Sequence, residues 1–420
     1  MSLAAVSLIT LLAVIVVSCF APVNIGFLSI ALAFLIGRAG GLPVAAIVGG
    51  FPASLFVTLT GITLLFSQAR VNGTLEQVAT RSVGLARGNR GMIPVIFFFL
   101  GLGLASIGAG NIAAAALLAP VAMSVAGRAG ISGFLMAIMF GNGANAGAFS
   151  PLAPTGIIAR DIMRRVGLEG VEWANFFNTL AAQSIVAFGG YFLLGGLKLF
   201  RAKTQPGSED GPEPLPTKLP SITGHQWLTL GVITALILSV VFLRIDVGLG
   251  AFVAAAILTL LRAADEEAAM RCMPWGVILM VSGVTILVEV LGKTGGMELF
   301  TGLLAGLSGP AYVTGVIALV TGLISVYSSS SGVVLPAFLP TIPGLVEKLG
   351  GGDPLMIAYS INVGAHLVDV SPLSTLGALC LAAAPASEDR NRLFRQLMAW
   401  GWSMALVGGL VCQLLFGYRR

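Results

Sequence analysis

The sequence predicts an all-α polytopic membrane protein made of two inverted-topology repeats. Composition, long apolar runs and an internal duplication all point this way. Of the 420 residues, 56% are hydrophobic and only 10% are charged, whereas soluble domains carry about 25% charged residues. Apolar runs of about 17 residues or more recur along the chain, and this length suits a helix that crosses a bilayer. No alternating strand pattern is present, so we expect helices.

The charge and the cysteines exclude several other classes. A net charge of +5 fits basic residues concentrated in cytoplasmic loops, and no basic stripe indicates a nucleic-acid partner. The four cysteines show no paired spacing that would suggest disulfides or a metal site, so we interpret them as small apolar residues. They are Cys19, Cys272, Cys380 and Cys412.

The duplication has an offset of about 222 residues. It places Pro52 on Pro274 and Gly61 on Gly283. After a slip of one residue, it places Ser150-Pro151-Leu152 on Ser371-Pro372-Leu373. Several matches in the same order predict one repeat at 1–200 and a second at 226–420, joined by a linker at 201–225.

Each repeat is predicted to contain five crossings, one re-entrant hairpin and one broken helix. The N-terminal run has no basic segment before it and has a counterpart deep in the chain, so we interpret it as the first span and not as a signal peptide. The hairpins are predicted at 92–127 and 311–348, and the broken helices at 131–166 and 354–386. The remaining spans are predicted at 3–19, 24–41, 51–69 and 172–199, and at 226–243, 247–262, 274–292 and 393–417.

The number of crossings sets the topology. An odd number inserts the second repeat upside down relative to the first, and inverted repeats with paired broken helices are typical of secondary transporters. The linker contains Arg201, Lys203 and Lys218, so it is predicted to be cytoplasmic and both termini extracytoplasmic. Segments 70–90, 262–271 and 390–395 then lie inside, and the basic cluster at 160–165 is an exception.

Four polar breaks mark the predicted site. The hairpin tips are 109–112 and 328–332, and the broken helices are interrupted at 141–155 and 366–375. Unwound backbone at membrane depth offers carbonyls to cations and helix amino termini to anions. None of the four breaks contains Lys or Arg. We therefore expect an anion to be held by amides, hydroxyls and helix dipoles, together with cations that travel with it.

Asp369 is the most informative residue of these breaks. A carboxylate inside the membrane is costly and indicates function, and the equivalent position in the first repeat is Ala148. Asp369 could ligate Na⁺, carry a proton or pair with His366, which faces Asn145 across the repeat. Purely structural interpretations also exist, since Asn111 could be a turn residue and the Ser-Pro-Leu segments could be simple kinks.

The breaks carry motifs that resemble a known family. They include Gly50-Phe51-Pro52-Ala53-Ser54-Leu55-Phe56, Asn72-Gly73-Thr74 and Ala148-Phe149-Ser150-Pro151. The most specific is Val368-Asp369-Val370-Ser371-Pro372-Leu373-Ser374-Thr375-Leu376-Gly377-Ala378-Leu379. Over essentially its whole length the chain resembles the divalent anion/sodium symporter group of the ion-transporter superfamily. The nearest likeness is to bacterial dicarboxylate carriers of the malonate-carrier (MatC) type.

This resemblance implies a site at the two hairpin tips. In the symporter group each tip carries Ser-Asn-Thr and holds one Na⁺ and one substrate carboxylate. Here the tips are Gly110-Asn111-Ile112 and Ser330-Ser331-Gly332, so each keeps only part of that pattern. The family also implies a homodimer that works as an elevator, in a multi-pass arrangement in the cell inner membrane.

The predicted function is cation-coupled symport of a small dicarboxylate such as malonate, succinate or malate, with Na⁺ as the first candidate for the coupling ion. The lipid bilayer and the dicarboxylate are the expected partners. The predicted substrate contacts are Asn111, Ser150, Ser330, Ser331, Ser371 and Thr375. The predicted cation ligands are Ser106, Asn111 and Asn145 at one site, and Ser331 and Asp369 at the other.

Three alternatives stay open. The first is proton-coupled or exchange transport with Asp369 as the proton carrier. The second is an anion channel, which would not need matched hairpin tips. The third is an intramembrane hydrolase that uses Ser371, His366 and Asp369, which we disfavour because Ser150 in the first repeat has no such partners. The sequence leaves open which dicarboxylate is carried and whether Na⁺ or H⁺ drives it.

Overall fold

The computed structural model describes residues 1–20, 23–83, 89–201, 221–243, 245–385 and 388–417. In these ranges every regular element is a helix and no strand occurs, which confirms the predicted all-α fold class. Most of the predicted linker (202–220) and the end of the amphipathic segment predicted at 74–87 lie outside the described residues.

The helices of the first half follow the predicted order. They are α1 (Leu3–Phe20), α2 (Ile25–Ala39), α3 (Val44–Val48), α4 (Ala53–Val71), α5 (Thr74–Val83), α6 (Met92–Leu104), α7 (Gly110–Ala129), α8 (Gly133–Ala148), α9 (Pro154–Arg165), α10 (Glu172–Leu193) and α11 (Gly196–Arg201). A π-helical turn, Ala105–Ala109, connects α6 to α7.

The second half repeats this order. Its helices are α12 (Gly224–Leu243), α13 (Val247–Leu260), α14 (Glu266–Cys272), α15 (Trp275–Lys293), α16 (Gly296–Gly306), α17 (Val313–Ser325), α18 (Leu335–Phe338), α19 (Ile342–Leu349), α20 (Pro354–Leu367), α21 (Thr375–Ala382) and α22 (Arg390–Phe416). A π-helical turn, Ser330–Val334, precedes α18, and a 3₁₀ turn, Leu339–Thr341, follows it.

Length and apolar composition identify the membrane-spanning part. Within the described ranges, 6 helical runs are long and apolar enough to cross a membrane, and several shorter apolar helices accompany them. Large apolar side chains point outward from these helices; Leu193 is 88% exposed and Leu260 is 80% exposed. Since such a surface suits hydrocarbon and not water, the chain is a multi-pass membrane protein.

Two glycine contacts between the halves are related by the duplication. A Cβ atom at Gly283 of α15 would lie 2.2 Å from the carbonyl oxygen of Gly26 on α2. A Cβ atom at Gly61 of α4 would lie 2.4 Å from the carbonyl oxygen of Gly248 on α13. The offset of about 222 residues maps each pair onto the other with the halves exchanged, as a two-fold relation would do. The inverted direction of the second repeat stays a prediction.

Both broken helices are held to the hairpin beside them in the same way. The Ser150 hydroxyl, between α8 and α9, donates to the Ser106 carbonyl at 2.7 Å. The Ser371 hydroxyl, between α20 and α21, donates to the Val326 carbonyl at 3.2 Å. Each serine oxygen also accepts a hydrogen bond from the backbone N–H two residues later. The Ser-Pro-Leu segments therefore fix each break against its hairpin.

The two segments predicted as hairpin tips, which we call the first and second tip, are built by different means. In the first tip, Gly108 and Gly110 adopt φ values of 122° and 76°, a region that L side chains disfavour. In the second tip, the Ser329 side chain accepts a hydrogen bond from the Gly332 N–H at 3.0 Å and caps the following helical turn. The same turn is thus made by glycine in one half and by serine in the other.

Candidate functional site

Hydrogen bonds connect the first hairpin tip to the second broken helix. The Asn111 amide donates to Asn145 Oδ1 on α8 at 2.9 Å. Asn145 in turn donates to the backbone carbonyl of His366 on α20 at 3.3 Å, and Gln183 of α10 donates to the same carbonyl at 3.0 Å. All four residues are buried. Asn111 is therefore positioned by both halves of the chain.

The second hairpin tip lies against Asp369. The Ser330 hydroxyl is hydrogen-bonded to the Asp369 carboxylate and lies 3.0 Å from the Ala365 carbonyl. His366 Nε2 lies 3.9 Å from Asp369 Oδ2, and the His366 ring packs edge-on against Phe149 with ring centroids 4.6 Å apart. The Asp369 side chain is only 10% exposed, so its environment consists mostly of these neighbours.

Two cavities adjoin the tips. The first, which we name the α4 cavity, contains about 670 Å³ and is lined by α4, the first tip, and the starts of α9 and α15. The second, which we name the serine cavity, contains about 620 Å³ and is lined by the second tip and the second break. Asn111, Ile112 and Ser331 line both. These volumes include open solvent, and the space that a water-sized sphere can enter is about 80 Å³ in the α4 cavity and about 190 Å³ in the serine cavity.

The structure brings most of the predicted substrate residues together. Ser330, Thr375 and Asp369 line the serine cavity, while Asn111 and Ser331 lie where the two cavities meet. Neither Ser150 nor Ser371 lines either cavity, because their hydroxyls are used to hold the breaks. The Ser371 hydroxyl is directed at a backbone carbonyl and not at His366, so the arrangement that a hydrolase would need is not formed there.

The predicted cation ligands lie at the two tips or in the broken helices beside them. The Ser106 hydroxyl is buried and has no hydrogen-bond partner among the described residues. Asn111 and Asn145 are hydrogen-bonded to each other. Asp369 is hydrogen-bonded to Ser330, and both Asp369 and Ser331 line the serine cavity. Hydroxyl, amide and carboxylate oxygens are donors that suit a hard cation.

Sequence reasoning missed a basic side chain in the site. The four breaks contain no Lys or Arg, yet Arg70 of α4 lines the α4 cavity, as Asn111 does. The expectation that an anion relies on amides, hydroxyls, dipoles and travelling cations stays a prediction, and it did not take the Arg70 charge into account. The available signal was the spacing of Thr63, Ser67 and Arg70, which places them on one helical face. Ser374 of the serine cavity was also missed as a site residue.

Comparisons with known proteins agree with this architecture. Residues 1–148 match the sequence family described as the N-terminus of the dicarboxylate carrier protein MatC. No curated protein sequence matches the chain.

Two solved structures share the fold. The Alcanivorax borkumensis YdaH transporter is 16% identical, with a TM-score of 0.56 over 89% of this chain and 87% of that protein. Neisseria gonorrhoeae MtrF, which represents a class of antimetabolite efflux pumps, is 14% identical, with a TM-score of 0.59 over 100% of this chain and 96% of that protein.

The matched family and both solved structures are described as a carrier, a transporter and an efflux pump, and not as enzymes. The match also confirms the resemblance predicted from the motifs of the first half. Over residues 1–148 the chain thus matches the dicarboxylate carriers of the MatC type, and over its length it has the fold of a membrane transporter.

Proposed function

We propose that this protein is a cation-coupled symporter of a small dicarboxylate such as malonate, succinate or malate. It would act in the cell inner membrane as a homodimer, with an elevator movement of the unit that carries the hairpins and broken helices. Na⁺ is the first candidate for the coupling ion. The match of residues 1–148 to dicarboxylate carriers supports the substrate class.

One observation carries the proposal: the two hairpin tips, one from each half, converge on shared cavity walls. Asn111 and Ser331 line both cavities, and each tip is hydrogen-bonded to a broken helix of the chain. Such a site would lie between the duplicated units, and alternating access would require these units to move relative to the rest of the protein.

The charges favour coupling to more than one cation. The described lining of the two cavities contains one basic side chain, Arg70, and one acidic side chain, Asp369. If Asp369 is ionised, these two cancel and a dianion leaves a net charge of about −2, which is costly at membrane depth. Two monovalent cations would neutralise it. Ser106, Asn111 and Asn145 would hold one of them, and Ser331 and Asp369 the other.

The test is uptake of labelled malonate, succinate and malate into proteoliposomes. With an inward Na⁺ gradient we expect accumulation of at least one of them, and a sigmoidal dependence of rate on Na⁺ concentration. Equal uptake with and without Na⁺ and pH gradients would contradict coupled symport, and large single-channel currents would indicate a channel instead.

The position of Asp369 supports a second candidate, which is proton coupling. This carboxylate is buried, hydrogen-bonded to Ser330 and close to His366, so a proton there could replace one cation. For a proton carrier, Asp369→Asn is expected to abolish uptake driven by a pH gradient while leaving exchange of internal for external dicarboxylate. For a Na⁺ ligand, the same variant would raise the Na⁺ concentration needed for half-maximal uptake.

A further inference from the structure

One face of α4 forms a wall of the α4 cavity, and its last residue, Arg70, is more exposed than the residues before it. Thr63 and Ser67 are buried, at 6% and 7% exposed, whereas Arg70, two turns after Thr63, is partly exposed. Residues seven apart lie about 10 Å apart along a helix. The wall therefore runs from the buried end of the cavity to a mouth at Arg70, on the side predicted to be cytoplasmic.

The Arg70 guanidinium is available at this mouth. Among the described residues it makes no ion pair and no hydrogen bond, and no acidic side chain lines the cavity. Lys293, at the matching end of α15 in the other half, is different. Its amine lies 3.2 Å from Glu289 and donates to the Ala46 carbonyl at 2.9 Å. The duplication thus provides a free cation in one half and a neutralised one in the other.

The rest of the cavity suits a small organic anion. The first turns of α7 and α9 open on it at Asn111 and Thr155, and no side chain caps the amino end of α9, so its N–H groups favour negative charge. Phe66, Ile112 and Val277 add apolar side chains to the lining of the same cavity. A short carbon chain with a carboxylate at each end matches this alternation of polar and apolar lining.

We propose that Arg70 binds one carboxylate of the transported dicarboxylate. The inference deepens the proposed function and rests on it. A guanidinium presents parallel N–H donors that match a carboxylate, which an amine cannot do as well. The second carboxylate lies toward Asn111 and the starts of α7 and α9. Arg70 thereby selects dianions over monocarboxylates of the same length.

The test compares Arg70→Gln, Arg70→Lys and the matched control Lys293→Gln in proteoliposomes. Loss of a hydrogen bond between two charged groups lowers affinity roughly 10-fold to 100-fold. Arg70→Gln is therefore expected to raise KM for the best dicarboxylate about 10-fold or more and to reduce the preference over the matching monocarboxylate. Arg70→Lys should fall between Arg70→Gln and the parent protein, and Lys293→Gln should keep the parent KM.

Cys272 provides a binding readout that does not depend on transport. It lines the α4 cavity and is exposed, whereas Cys380 and Cys412 are buried. Alkylation of Cys272, followed by mass spectrometry, should be slowed by malonate or succinate in the parent and in Lys293→Gln, and not in Arg70→Gln at the same concentration. The alkylation rate without substrate reports whether each variant keeps the folded cavity.

The outcomes separate the two proposals. If the parent transports dicarboxylates and Arg70→Gln keeps its KM, its selectivity and its protection of Cys272, the role of Arg70 is overturned and the proposed function stands. If the parent neither transports a dicarboxylate nor protects Cys272, the proposed function fails and this inference fails with it.

Discussion

Asn111 occupies the position where the two cavities meet, and its environment leaves part of it free for a ligand. Its Nδ2 donates to Asn145, and its Oδ1 accepts from the Ile112 N–H at 3.0 Å. These bonds fix the side chain with one N–H and one oxygen lone pair still available. A residue that is held by its neighbours and still unsaturated is well suited to contact a substrate or a cation.

Asn111→Ala is expected to remove most dicarboxylate uptake, with KM raised about 10-fold or more because a hydrogen bond to a charged group is lost. Initial rates over a range of substrate and Na⁺ concentrations measure the effect. The matched control is Asn89→Ala, since Asn89 is an exposed residue whose side chain accepts from the Gly91 N–H outside both cavities. An Asn111→Ala protein with the parent kinetics would remove Asn111 from the site.

For single residues, the sequence indicated which segments carry polar side chains better than it indicated which of those side chains line a cavity. Polar residues in apolar segments are visible in the sequence because they are costly there, and Asn111, Ser330 and Asp369 do line the cavities. Ser150 and Ser371 satisfied the same criterion, but their hydroxyls bond to backbone. Which partner a hydroxyl chooses depends on tertiary distances that the sequence does not contain.

At the scale of elements, glycines decide how closely the halves approach. In α15, a Cβ atom at Gly283 would overlap the Gly26 backbone, whereas at Gly292 of the same helix it would meet nothing within 4 Å. Close contact between small residues is a main source of helix association in membranes. The α2–α15 contact should therefore be sensitive at Gly283 and insensitive at Gly292.

Gly283→Ala is expected to destabilise the folded protein by about 1–3 kcal/mol, because the added methyl group forces the two helices apart. Gly292→Ala should be neutral or slightly stabilising, since alanine is the better helix former. Thermal unfolding of both variants in the same detergent measures the difference. Equal melting temperatures for the two would contradict the close packing of α2 on α15.

The elements themselves were largely predictable, and the turn chemistry was not. Apolar length and matched order indicated the hairpins and broken helices, and α6 and α17 begin within two residues of the predicted arms. The first tip, however, depends on positive φ angles at Gly108 and Gly110, while the second depends on a serine cap. In the sequence both tips consist of small or polar residues. Only the backbone conformation shows that one turn depends on glycine and the other on a serine cap.

At the scale of the molecule, the duplication accounts for the matched order of helices and for the position of the candidate site. Glycine contacts exchange between the halves, and the broken helices are held by equivalent serine bonds. The site departs from this symmetry, since Asp369 replaces Ala148 and the free Arg70 has a paired lysine as its nearest counterpart. A symmetric scaffold allows two opposed states of similar energy, and asymmetric side chains provide selectivity and coupling.

The inverted relation between the repeats can be tested at equivalent exposed positions. Ala39, at the end of α2, and Leu261, just after α13, differ by the repeat offset and are both exposed. In an inverted pair they lie on opposite faces of the membrane, with Leu261 in the cytoplasm because basic residues follow it at 262–271. Parallel repeats would place both positions on one face.

Single cysteines introduced as Ala39→Cys and Leu261→Cys, in a background lacking the native cysteines, report these faces. A membrane-impermeant maleimide is expected to label Ala39→Cys in right-side-out vesicles and Leu261→Cys in inside-out vesicles. Uptake by the cysteine-free parent serves as the control for folding. Labelling of both positions from the same face would contradict the inverted topology. The two tips could then not approach the candidate site from opposite sides of the membrane.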